Sequence, residues 1–185
     1  MWAKHKQSGF TIVELLIVIV VIGILAAITI VAYNGIQQRA NNAAIVNAAR
    51  QTMKSLQAYH ALKGEYPYTG ASNVCVTTIS GCVRDTGGVD NSNSTFNTNI
   101  ATVGAPPSSV PNAGSVANGI IYNHTSSRTY NGQVKPAMIF YWLNGTSQKC
   151  GVDGVMSTWE GGVTPTTGYT AANSAGKTLC FISIG

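Results

Sequence analysis

Gly9-Phe10-Thr11-Ile12-Val13-Glu14 opens the stretch that decides the fold, and the apolar run from Leu15 to Ala32 completes it. No residue of that run is charged. Thr29 is its only polar residue and Gly23 its only poor helix former. Its 18 residues make a helix of about 27 Å, close to the thickness of a hydrocarbon core. One carboxylate, Glu14, abuts the run. Ahead of it lies a short polar leader, Met1 to Gly9, carrying Lys4, His5 and Lys6.

Three readings compete for this start. A secretory signal peptide has a basic beginning, but its apolar segment is shorter and ends in a small-x-small cleavage site, which Ile30-Val31-Ala32 does not supply. A plain single-span anchor explains the length and the basic flank but not Glu14. The third reading rests on Lys6-Gln7-Ser8-Gly9-Phe10-Thr11-Ile12-Val13-Glu14-Leu15-Leu16-Ile17-Val18, which closely resembles the processing and assembly motif of the type IV prepilins, shared by the type II secretion pseudopilins. The resemblance is strong over residues 4 to 39 and continues through a helix to Gly64-Glu65-Tyr66-Pro67.

That resemblance implies a cut by a membrane aspartyl peptidase, the prepilin peptidase, between Gly9 and Phe10, followed by N-methylation of Phe10. Gly9 suits the cut because it has no side chain to block close approach. The apolar run then stays on the mature protein. Glu14 is costly at a membrane edge unless paired. The Phe10 amine, four residues away, lies within one helical turn of it. The resemblance points instead to the Phe10 amine of a neighbouring subunit as the partner. Such a pair strengthens as the local dielectric falls and selects axial register, since any slip leaves two unpaired charges. Phe10 and Glu14 are therefore the expected subunit-assembly residues.

From Tyr33 the pattern turns amphipathic: Ile36, Ala40, Ala43, Val46, Ala49, Met53, Leu56 and His60 recur every three or four residues, with polar and charged residues between. No proline occurs before Pro67. One helix is expected from about Thr11 to about Leu62, stopped by Gly64. Gly23 and Gly35 are its weak points. His60 and Tyr59, near its C-terminus, read as boundary residues.

Residues 68 to 118 are rich in Gly, Ser, Thr, Asn and Pro and read as a long, mostly irregular connection containing Cys75-Val76-Thr77-Thr78-Ile79. Strand-like runs follow at 119–122, 137–143, around 149–152 and at 178–184, and Asn144-Gly145 is a strong hairpin signal. The expected fold is α+β, a long N-terminal helix packed on a small antiparallel sheet. Its expected segments are a cleaved leader (1–9), a transmembrane or filament-core helix half (10–32), an amphipathic half (33–63) and a globular head (64–185).

Charged residues make up only 9% of the chain, and the second half is polar through amides and hydroxyls, which suits an extracellular surface. Loss of the leader removes Lys4 and Lys6 and lowers the formal net charge from +5 to +3, mildly basic and no argument for nucleic acid. Four cysteines in an exported chain read as disulfides, with three pairings open. The expected pairs are Cys75–Cys82, closing a short loop with Gly81 in it, and Cys150–Cys180, which resembles the C-terminal disulfide-bounded region of many pilins.

Asp85, Asp90, Asn91 and Asn93 offer oxygens of the kind calcium takes, but not at EF-hand spacing, so no metal site and no cofactor is assigned. Asn93-Ser94-Thr95, Asn123-His124-Thr125 and Asn144-Gly145-Thr146 fit the glycosylation sequon, as chance matches in an Asn/Ser/Thr-rich chain do. Trp142 and Trp159 read as packing residues rather than a stacking face. Glu65, Asp85, Asp90, Asp153 and Glu160 are scattered, and no nucleophile set or phosphate loop stands out, so no enzyme is expected. The resemblance implies a structural subunit of a type IV pilus, or alternatively a secretion pseudopilin or a minor pilin for DNA uptake or adhesion. Its implied partners are other copies of itself, the prepilin peptidase, the membrane-bound assembly machinery and, before assembly, membrane lipid. Its implied places are the inner membrane and then an extracellular filament.

Overall fold

The computed structural model describes residues 9–70, 72–76, 81–84, 86–104, 107, 116–126, 128–130, 132–156 and 172–185. The leader lysines and His5, Thr77 to Ile79, Asp85, Trp159 and Glu160 lie outside the described residues.

Helix α1 runs Ile12–Lys63. It ends where expected: Gly64 takes φ 73°, the left-handed geometry that favours glycine, and its N–H bonds the His60 carbonyl at 2.8 Å. The chain divides into two compact units, Met1–Arg39 and Ala40–Gly185, with the division inside α1.

In the first unit no residue from Ile12 to Arg39 is buried. Thr29, the one hydroxyl in the apolar run, donates to the Ala26 carbonyl at 3.0 Å, so the helix satisfies it internally.

The second unit places Ala40 to Lys63 of α1 with β1 (Val74–Cys75), β2 (Cys82–Val83), β3 (Val89–Asp90), α2 (Ser94–Ala101), β4 (Ile120–His124), β5 (Thr129–Tyr130), β6 (Gln133–Val134), β7 (Ala137–Asn144), β8 (Val155–Met156), β9 (Ala172–Ser174) and β10 (Lys177–Ile184). The main sheet is antiparallel in the order β1-β4-β7-β10-β8, with β9 also paired to β10. β7 and β10 pair along their full length, from Lys177 opposite Asn144 to Ile184 opposite Ala137.

Burial on both faces explains why these strands read as continuous apolar runs. Along β7, Ala137, Ile139, Tyr141 and Leu143 join one core with Ile45, Ala49, Leu56 and Tyr59 of α1. The alternate residues Met138, Phe140 and Trp142 join a second core with Leu179, Phe181 and the Cys75 and Cys82 side chains. Trp142 thus packs in the sheet, edge-on to Phe140 at 5.5 Å between ring centres.

Three expectations need correction. The buried stripe of α1 is Ile45, Ala48, Ala49, Thr52, Ser55, Leu56 and Tyr59, rotated from the expected one; Ala43 and His60 are exposed. Small polar residues enter the interface because the helix satisfies them: the Thr52 hydroxyl donates to the Ala48 carbonyl at 2.9 Å. The connection after Pro67 is mostly irregular among its described residues, but it also forms α2, capped by the Asn93 side chain accepting from the Phe96 N–H at 3.0 Å. Asn144-Gly145 makes no hairpin to the next strand, because β8 pairs with β10 rather than β7, and residues 149–152 are not a strand. The Asn144 backbone is instead held by Asn42, whose side chain accepts from its N–H at 2.8 Å and donates to its carbonyl at 3.0 Å.

Candidate functional site

The processing segment sits at the start of α1. Phe10 is 83% exposed, and a Cβ built on Gly9 meets nothing within 4 Å. Thr11 precedes the first helical residue and Glu14 is the third within the helix, the arrangement of a capping box. The Thr11 N–H and its hydroxyl both donate to one Glu14 carboxylate oxygen at 2.8 Å, and the Glu14 N–H donates back to the Thr11 hydroxyl at 3.2 Å. Glu14 therefore closes its own helix N-terminus. Sequence reasoning looked only to the Phe10 amine for its partner and missed Thr11, although the Thr-x-x-Glu spacing was legible.

In the head, Cys75 is bonded to Cys82 and Cys150 to Cys180, with Cα–Cα separations of 5.3 and 5.7 Å. The segment after Cys150 is fastened to neighbouring elements. Tyr141 donates its hydroxyl to the Cys150 carbonyl at 2.7 Å and Arg50 of α1 donates to the Gly151 carbonyl. Gly151 takes φ 72°, and a Cβ there would stand 3.0 Å from Val46. Burial pushes the Tyr141 hydroxyl well above its ordinary acidity range.

The remaining candidates resolve into structural roles. Asp90 pairs with Arg84 at 3.1 Å, and Asn93 caps α2, so two of the oxygen donors weighed for calcium are engaged. Among the described residues no group of three His, Cys, Asp or Glu could hold a metal. Of the sequon asparagines, Asn123 is buried, donates to Asn73 at 2.9 Å and accepts from Arg128 at 2.8 Å. Arg128 is itself buried and also donates to the Pro136 carbonyl at 3.0 Å, and burial lowers its pKa to about 10. Nothing in the sequence singled out Arg128 or Asn42, whose roles depend on partners brought in by the fold. His60 stacks on Tyr66 at 4.5 Å, and Tyr66 donates to the Ile184 carbonyl at 3.1 Å, fixing the helix exit to the last strand.

A membrane-length apolar helix followed by an antiparallel sheet is a pilin-like α+β architecture. The family model for the prokaryotic N-terminal methylation motif matches residues 4–30. The chain is 37% identical over 78 residues to the fimbrial protein EcpC of Eikenella corrodens, a stretch covering 42% of this chain and 51% of that one. It is 36% identical over 66 residues to a fimbrial protein of Neisseria meningitidis, covering 36% of this chain and 39% of that one. It is 35% identical over 66 residues to the type IV major pilin protein PilE1 of Neisseria gonorrhoeae, covering 36% of this chain and 40% of that one. The match thus spans about half the length of these relatives or less. No solved structure matches. The N-terminal region thus carries the prokaryotic methylation motif and is similar to fimbrial proteins and type IV major pilins.

Proposed function

We propose that this protein is the structural subunit of a type IV pilus, stored in the inner membrane and polymerised through its N-terminal helix into an extracellular filament. One observation carries the reading: from Ile12, inside the stretch matched by the methylation motif, the chain forms a helix with no buried side chain as far as Arg39, although the run is apolar. Such a surface requires lipid or other copies around it. The relatives being named fimbrial proteins and major pilins supports the filament role. In this reading residues 1–9 are the leader removed by the prepilin peptidase, and Phe10 becomes the methylated N-terminus. Residues 10–32 then alternate between bilayer and filament core, 33–63 lead into the head, and 64–185 form it. On cleavage, Glu14 exchanges its own Thr11 cap for the Phe10 amine of a neighbouring copy, under the control of the membrane assembly machinery. The family is one of structural proteins, not enzymes.

The test is to shear surface filaments and sequence the N-terminus of their main polypeptide. The expected result is this chain starting at methylated Phe10, with a bulky Gly9→Leu variant left uncleaved in the membrane. A start near Tyr33 would restore the signal-peptide reading. A chain present only in traces would be a minor pilin or a secretion pseudopilin.

A further inference from the structure

Along one side of the head-side half of α1 runs an open groove of about 400 Å³, lined by Arg50, Met53, Lys54 and Gln57 on the helix and by Val152 and Asp153 across from it. Lys54 is exposed, Asp153 is exposed, and neither has a polar partner among the described residues. The groove is therefore an apolar floor with two cations on the helix side and a carboxylate on the opposite side. At the end of the same helix, Leu62 is 72% exposed, one of the few large apolar side chains left open among the described residues of the head. It is flanked by exposed Lys63 and Glu65, which likewise have no polar partner among the described residues.

We propose that the Leu62-Lys63-Glu65 knob of one copy docks into the Arg50-Lys54-Asp153 groove of another. The proposal rests on the filament reading and deepens it by naming a contact between heads. Leu62 meets the Met53 floor, Glu65 meets Lys54 and Arg50, and Lys63 meets Asp153. Both signs are matched, which is what fixes register and excludes wrong partners. Within one copy Lys54 and Glu65 are separated by about 16 Å of chain along the helix and its exit, so a copy cannot fill its own groove. The two patches differ, so the contact is heterologous and open-ended, and it propagates along a filament instead of closing a dimer. A nucleic acid is the poorer occupant: Asp153 would repel phosphates, and among the described residues no aromatic side chain lines this groove for base stacking.

The experiment is a charge swap on the full chain, read by filament yield and by carbodiimide cross-linking. Lys54→Glu and Glu65→Lys each lower yield about tenfold, and the doubly swapped chain returns to within about twofold of wild type, the signature of a direct pair. In wild-type filaments a Lys54–Glu65 peptide linked between copies is found by mass spectrometry. Filaments of normal yield from both single variants, without that link, overturn the contact and leave the pilus reading standing. The same link in detergent-solubilised full-length protein, from cells that make no filaments, keeps the contact and overturns the pilus reading. Loss of polyphosphate or DNA binding in Lys54→Glu with filament yield unchanged shows an open anion site and overturns the proposal.

Discussion

Residues 12–39 and 40–63 belong to one helix, yet no side chain of the first set is buried and seven of the second are. The backbone is the same in both, and so is the absence of proline. The difference lies in what each half is given to pack against. Ala40 to Lys63 finds its partner within the chain, in Ile139, Tyr141, Ile182 and their neighbours. Ile12 to Arg39 finds none among the described residues. Leaving its Leu, Ile and Val side chains in water would cost on the order of tens of kcal/mol. Helix formation is thus a local property of this sequence, while burial is supplied in one half by the fold and in the other by the surroundings.

The sharpest way to break this comparison is to remove the charge that begins the outward half. Glu14→Ala loses the Thr11 cap and, on the proposed filament reading, the partner of a neighbour's amine. It should insert into the membrane at least as well as wild type. Filament yield should fall more than about tenfold, because breaking a charge pair in apolar surroundings costs well over the 1.4 kcal/mol that a factor of ten represents. Filaments of normal abundance would show that Glu14 only caps its own helix.

The head half should answer to covalent staples instead. Replacing Cys150 and Cys180 by Ala opens a loop with a separation of 30, against 7 for Cys75 and Cys82. The loop-entropy model gives losses of about 3.5 and about 2.5 kcal/mol respectively. Denaturant unfolding of the full chain in detergent measures both. Equal losses, or a larger loss at Cys75–Cys82, would mean that native packing around the bonds outweighs the loops they close.

The helix, its Gly64 stop and the strands at 120–124, 137–144 and 177–184 were legible because each rests on local pattern: an apolar run, a left-handed glycine, a continuous β-rich word. The processing motif was legible for the same reason, being contiguous. The stripe of α1 was misjudged because Thr52 and Ser55 look polar in sequence, yet both are buried in the helix interface. Asn42 and Arg128 were invisible because their partners, at Asn144 and Asn123, are set by topology. α2 was hidden in a Gly/Ser/Asn-rich segment, where composition outweighed the single capping signal of Asn93.

Asn42 tests the boundary between the two halves of α1 from the head side. Asn42→Ala removes both side-chain bonds to the Asn144 backbone and should cost about 1–2 kcal/mol, with Asn42→Asp, which keeps the acceptor and loses the donor, falling between. In the outward half, Gly23→Ala should do the opposite. A Cβ there meets nothing within 4 Å, and Ala is favoured over Gly in a helix interior by about 0.5–1 kcal/mol. Helicity of the detergent-solubilised chain reads that gain. A destabilising Gly23→Ala would mean that the position is already packed in the isolated subunit.

The smallest effect concerns pH and belongs to the head alone. His124 is half-buried beside Arg128 and tilts against Tyr66 at 5.7 Å between ring centres. Burial, reinforced by the positive Arg128, holds its pKa below the ordinary 6.5. The folded head therefore takes up this proton less readily than the unfolded chain. Above the unfolded value both states are neutral here and the full stability is present; it is lost as pH falls toward the folded value. Partial exposure lets solvent screen much of this, so the slope is shallow. Unfolding midpoints between about pH 7 and about pH 5 should fall on acidification in wild type and fall less in His124→Gln. The other histidines are common to both chains, so the difference between the two profiles isolates this ring. A wild-type head that gains stability on acidification relative to His124→Gln would mean that the imidazolium finds an acceptor and that Arg128 does not govern this corner of the sheet.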